Sequence, residues 1–198
     1  MQYRVAEEKD MSEIAKVHME CFPEYFTTLF GQKLLTAYYE EFYKEAPLFV
    51  IAENKEQIVG FCMGYKRGAS KAKNVFIKKN RYKLAFRMAY LCITLNRLAI
   101  KKCVQFIFEK LKITRTKQNH VTEADGDLLS ICVKKEYRGQ GVSTQLIKMF
   151  EQTLKDNGMH SYVLSVYKTN TSARVFYEKN GLVSINETDD ELKYFKMI

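Results

Sequence analysis

Along the chain, apolar positions recur at every second residue in some stretches and at every third or fourth in others, and the change of period marks the elements. Residues 3–6 have the make-up of a first strand. Met11, Ile14, Ala15, Val17 and His18 then follow with helical spacing, Asp10 stands where a helix cap belongs, and Glu13 three residues on completes a capping box. Pro23 interrupts that helix. A second helical pattern runs over about 29–44 and ends before Pro47, because a residue preceding proline avoids the α region. Residues 48–52 and 58–65 are apolar runs separated by the polar stretch 53–57, a hairpin signal. After a long basic stretch, 127–133 alternates and stops at a glycine-rich turn, and 144–157 is helical with Gly158 as C-cap. Residues 161–166 read as a strand, 170–181 as a helix, and 183–185 and 192–198 as two last strands.

The basic stretch is a feature of its own. Residues 66–118 hold sixteen Lys or Arg and one acid, Glu109, a sum of +15 in a chain of net +9. The remainder therefore sums to −6. No Gly or Pro falls between Gly68 and Gly126, and Leu84, Met88, Leu91, Leu95 and Leu98 step by four and three along one helical face. One or two basic amphipathic helices are expected over 66–120. Their charges either face water, or meet an anionic membrane surface, or wall in a negatively charged substrate. Nucleic acid is the least favoured partner, since no base-stacking motif accompanies the charge.

The chemistry concentrates where the 127–133 strand ends. Arg138-Gly-Gln-Gly-Val-Ser143 follows at once, with Thr144 opening a helix. The first N–H groups of a helix lack intrahelical partners and carry partial positive charge, and glycines let a phosphate approach the backbone. Neither a dinucleotide fingerprint nor a P-loop fits, for there is no Gly-x-Gly-x-x-Gly and no Gly-Lys-Ser/Thr. The turn instead resembles the Arg/Gln-x-x-Gly-x-Gly/Ala signature of the GCN5-related N-acetyltransferases, the GNAT superfamily, with Ser143 in place of the last small residue. Downstream, Asn170-Thr-Ser-Ala-Arg-Val-Phe-Tyr177-Glu-Lys-Asn-Gly181-Leu resembles that family's Asn-x-x-Ala-x-x-Phe-Tyr-x-x-x-Gly-Phe segment, with Leu182 for the final aromatic.

The resemblance covers most of the chain outside the insertion. It implies an α/β (α+β) GNAT fold over 1–198: a mixed, mostly antiparallel central sheet flanked by helices, the basic insertion lying between strands 3 and 4. It implies acetyl-CoA as cosubstrate, without metal. The pyrophosphate would rest on the backbone of Arg138, Gly139, Gln140, Gly141, Val142 and Ser143, with Thr144 at the helix start. The pantetheine arm would lie beside Ile131, Cys132 and Val133 like an added strand, with Asn170 on the same arm. Tyr177 would assist the departing sulfur; a phenol near pKa 10 and a thiol near 8.5 suit it to hydrogen-bond donation. Asp127 is the candidate base, with Glu123 and Asp125 as alternatives, and a charged loop flanking a strand explains each of them equally well. His18 reads as a satisfied pocket-rim histidine or a second candidate base.

The acceptor would enter beside residues 18–31, so His18, Glu24, Tyr25 and Phe26 are substrate-binding candidates. That segment resembles a His-x-x-x-Phe-Pro-x-x-Phe-x-Thr-x-x-Gly stretch of GNAT proteins associated with polysaccharide biosynthesis, which implies an amino-sugar acceptor, free or nucleotide-linked. A protein or peptide amine is the alternative, and so is a non-catalytic module that binds CoA or a membrane surface. The five cysteines are isolated, with no Cys-x-x-Cys pair, and read as apolar fillers of a reducing compartment. The N-terminus has no apolar signal core and no apolar run reaches about 18 residues, so a cytoplasmic location is expected, peripheral at a membrane if the basic segment binds one.

Overall fold

The computed structural model describes residues 1–45, 48–66, 71–101 and 124–198. Strands β1 (Gln2–Val5), β2 (Leu48–Asn54), β3 (Gln57–Lys66), β4 (Gly126–Val133), β5 (Ser161–Tyr167), β6 (Val183–Glu187) and β7 (Glu191–Met197) form one sheet in the order β1-β2-β3-β4-β5-β7-β6. Every neighbouring pair is antiparallel except β4 and β5. Helices α1 (Met11–Cys21) and α2 (Gln32–Glu45) cover one face; α4 (Val142–Asp156) and α5 (Thr171–Lys179) cover the other; α3 (Lys71–Ile93) lies against α2.

Both faces being covered explains why 48–52 of β2 and 58–65 of β3 are continuous apolar runs instead of alternating. Leu48, Val50 and Ala52 point to the α4 side, and Phe49 and Ile51 to the α1–α2 side. The amphipathic stripe of α4 (Val142, Leu146, Ile147, Phe150, Leu154) is fully buried against the first set.

Several expectations shift. Asp10 does not cap α1 with its side chain. Its carboxylate is drawn back to Arg4, at 2.7 Å, and to the Glu7 N–H, while Glu13 accepts from the Ile58 N–H across the sheet. The guanidinium and β3 are stronger competitors than a local box. The second helix begins at Gln32, because 26–30 form a 3-10 turn that ends at Gly31 with φ +78°. The leucine stripe is split: α3 ends at Ile93, Leu95 adopts a left-handed φ of +56°, and Asn96 caps a new helical turn by accepting from the Ala99 N–H. A break without Gly or Pro leaves no mark in the sequence. The expected helical stretch over 102–120 and Glu123 lie outside the described residues.

Candidate active site

A bulge and a parting of strands create the cleft. β4 and β5 pair only at Gly126↔Tyr162 and Asp127↔Val163, after which β5 continues along β7 and β4 along β3. Opposite β3, Gly64 faces Leu128 and Met63 faces Ser130, so Leu129 is an extra residue. The added residue reverses the alternation. Ser130 and Cys132 thereby turn to the α1–α2 side, and Ile131 and Val133 to the α4 side.

The widening gap is a cavity of about 310 Å³. Leu129, Ser130 and Ile131 form one wall, and Ser165, Val166 and Tyr167 the other. Asn170, Ala173 and Tyr177 come from α5, Glu191 from β7, and His18, Phe22, Tyr25, Thr27, Tyr38 and Tyr39 from the α1–α2 region. Of the expected residues, His18, Tyr25, Ile131, Asn170 and Tyr177 therefore meet in one cleft. Glu24 is exposed outside it, Phe26 packs on Phe30 at 5.4 Å, and Asp127 stands at the base of β4 away from the lining. Asp125 has a structural task, accepting from the His160 N–H at 2.8 Å and the Ser161 hydroxyl at 3.1 Å. Glu191, Tyr38, Tyr167 and Ser130 are lining residues that the sequence patterns did not single out; the bulge turns Ser130 in, the β5–β7 pairing sets Tyr167 opposite Glu191, and α2 supplies Tyr38.

Beyond the cleft, β4 leads into the glycine turn. Gly139 and Gly141 both have φ of +77°, and a Cβ at either position would meet nothing within 4 Å. Glycine is thus required for its conformation, and the space above the turn is open to a ligand. Gly141 is the N-cap of α4, and the first helical bond is Gln145 N–H to Gly141 C=O. The N–H groups of Val142, Ser143 and Thr144 are left for an anion. Arg138 is anchored by its Nε, which donates to Val133 C=O at 2.9 Å. These groups fit the pyrophosphate of a CoA ester. Asn170 Oδ1 accepts from the Ala173 N–H and so caps α5, committing that oxygen to the fold.

Electrostatics set each titratable group. Burial raises the Tyr177 phenol, which lies 6.0 Å from Tyr194 and 5.4 Å from Phe176, ring to ring. The His18 ring is bonded on both sides, Nδ1 to Tyr39 Oη at 2.6 Å and Nε2 to Thr27 Oγ1 at 2.9 Å, and burial lowers its pKa to about 4. Folding therefore holds this ring neutral while the unfolded chain protonates near 6.5. The stability this gives is fully present above pH 6.5 and is lost as pH falls toward 4. In urea unfolding, we expect His18 to account for about 2 kcal/mol of the loss between pH 7.5 and pH 5. That part should vanish in His18→Gln; an unchanged slope would assign it to carboxylates.

The cysteines are not all isolated. Cys21, at the end of α1, packs on the cluster that holds Cys132. A hydrogen bond to Cys132, with help from Arg138, lowers the Cys21 thiol, whereas burial raises Cys132.

A mixed sheet that opens between two parallel strands above an anion-binding helix start is the fold of the N-acetyltransferases. The chain belongs to the acetyltransferase (GNAT) family, whose model matches residues 11–182. Over 87 residues, 44% of this chain, it is 32% identical to the uncharacterized N-acetyltransferase YobR of Bacillus subtilis. Over 60 residues, 30% of this chain, it is 35% identical to N-alpha-acetyltransferase 30 of Schizosaccharomyces pombe. These matches span 35% and 40% of the two relatives' own lengths. In fold it is similar to an N-acetyltransferase from Staphylococcus aureus Mu50, with TM-score 0.61, 14% identity, and 99% of this chain and 100% of that one covered. Ard1 from Thermoplasma volcanium gives TM-score 0.60 at 16% identity, covering 100% of this chain and 97% of that one. Among the described residues no group of three or more His, Cys, Asp or Glu could hold a metal, and no helix is long and apolar enough to cross a membrane.

Proposed function

We propose that this protein transfers an acetyl group from acetyl-CoA to the free α-amine of a peptide or protein N-terminus. The observation that carries this reading is the pairing, in one cleft, of a neutral, doubly bonded His18 with Glu191 as a carboxylate in the lining. A ring with a pKa of about 4 is a poor base. An alkyl amine near 10.4 is almost wholly protonated at neutral pH and needs a strong base, whereas an α-amine near 7.7–8.0 is partly neutral already. Glu191 and the tyrosines supply what such an acceptor needs. The carboxylate attracts the ammonium form, and Tyr25 and Tyr167, 6.4 Å apart edge to face, flank the chain that follows.

In this reading the α4 start and the glycine turn hold the pyrophosphate, the free edge of β4 holds the pantetheine arm, and Asn170 and Ile131 border it. The thioester would supply an activated acetyl group, and Tyr177, which lines the cavity, would donate to its leaving sulfur. The amine nitrogen bonds to the acetyl carbon, the carbon–sulfur bond breaks, and the amine's proton leaves to water along the Glu191 side. The name of the Schizosaccharomyces relative, an N-alpha-acetyltransferase, supports this acceptor. The amino-sugar acceptor implied by residues 18–31 finds no support among the relatives.

Thiol release from acetyl-CoA tests the proposal. Peptides with a free N-terminus should turn over and the same peptides blocked at the N-terminus should not, even with a free lysine. Glu191→Gln should raise KM for the peptide about fivefold with kcat little changed, as for a partly exposed charge pair. Turnover on amino sugars or polyamines alone would overturn the acceptor, and absence of CoA binding by calorimetry would overturn the transferase reading.

A further inference from the structure

Helix α3 presents an exposed outer face whose residues do not line the cleft. Its inner side is fixed to the domain. The Ala72 N–H donates to Glu45, Lys79 pairs with Glu41 at 2.8 Å, Phe76 packs on Phe30 and Tyr38, and Arg87 donates to Leu29 C=O. Its outer side is unusual. Spacings of seven, four and seven put Val75, Tyr82, Phe86 and Ile93 on one stripe. The last three are 74%, 78% and 80% exposed. A ridge of large apolar groups turned outward marks an interaction site.

The charge around that ridge selects the partner. Within Lys71–Ile93 there are seven Lys or Arg and no acid. Lys79 and Arg87 are engaged with Glu41 and Leu29, which leaves five. By helical spacing, Lys78 and Arg81 flank the ridge on one side and Lys83 on the other. An apolar line with cations on both sides is the pattern of a helix lying in a headgroup plane: the ridge enters the acyl boundary, and the long cationic stems reach back to lipid phosphates. A phosphate backbone would call for cations at the centre of the footprint instead. The arrangement therefore fits a bilayer in preference to RNA or DNA.

We propose that α3 docks this protein on anionic membranes through the Val75–Tyr82–Phe86–Ile93 ridge, with the flanking lysines and arginines contacting acidic headgroups. The test uses a property of the chain, which contains no tryptophan. In Phe86→Trp the single indole reports on the ridge alone. Its emission should be that of water-exposed tryptophan in buffer, shift to the blue with phosphatidylcholine/phosphatidylglycerol vesicles, and stay unchanged with phosphatidylcholine vesicles. Cosedimentation with the anionic vesicles should weaken at least tenfold in Tyr82→Ser/Phe86→Ser/Ile93→Ser, since three large apolar side chains leave the ridge. It should also weaken at 0.5 M salt, and acetyl transfer to a soluble acceptor should not change.

Emission already blue in buffer would mean that this chain or a second copy covers the ridge, and would overturn the proposal. So would equal cosedimentation of wild type and triple variant, or a blue shift with RNA and none with vesicles.

Discussion

Tyr177→Phe should lower kcat on the order of 10²-fold and leave the KM for acetyl-CoA and the melting temperature nearly unchanged. The ring stays, so the contacts with Phe176 and Tyr194 and the burial in the α4-side core persist. What is removed is one hydroxyl in the cleft. Burial raises its pKa, so it remains a protonated donor at any working pH. It is therefore suited to stabilise a leaving thiolate by hydrogen bonding, and full proton transfer to that thiolate, whose conjugate thiol has a pKa of about 8.5, would run uphill. Loss of a positioned donor of this kind costs 10²–10⁴-fold, and the lower end suits a group that donates without transferring. Steady-state kinetics on the peptide acceptor decide it. An unchanged kcat would make Tyr177 a packing residue and leave the sulfur to solvent.

Gly64→Ala should strongly destabilise the sheet, costing about 3 kcal/mol in urea unfolding. A Cβ there would stand 2.4 Å from Asp127 C=O and 2.6 Å from the Phe150 ring. One obstacle is backbone, and the other is a fully buried aromatic at the centre of the α4-side core. Neither can step aside cheaply in a close-packed interior. The position also lies at the shift of register between β3 and β4, so the clash pushes apart the strands that set the bulge. CoA affinity should fall together with stability. For stability alone Gly139→Ala is the control: its Cβ meets nothing within 4 Å, which leaves only the cost of a left-handed backbone, about 1 kcal/mol. Equal stability of Gly64→Ala and wild type would mean that Phe150 repacks.

What was legible in the sequence is what local chemistry determines. The hairpin of β2 and β3 and the strand–turn–helix at Gly139 and Gly141 follow from period and glycine placement, and the segment that forms α5 was legible through its resemblance to a family motif from Asn170. The parts that escaped depend on distant competition. Asp10 looks like a cap until Arg4 and Glu7 claim its carboxylate. Leu95 looks like one more member of a stripe until the chain turns left-handed there. The acceptor side was the least readable: Glu24 and Phe26 lie close to Tyr25 in sequence, yet Tyr25 alone of the three lines the cleft, whereas Glu191 arrives from 166 positions further on. No period along one segment could announce that meeting.

The extra residue at Leu129 carries a lesson about counting. Because sides of a strand are assigned by parity, everything from Ser130 to Val133 owes its facing to one surplus position. Exchanging Leu129 for another side chain alters a surface; removing it would invert four neighbours at once, sending Ser130 away from the acceptor half and Ile131 into it. Length variation in this strand is therefore constrained more tightly than identity, and any transplant of the site into another sheet must carry the odd residue along with the chemistry.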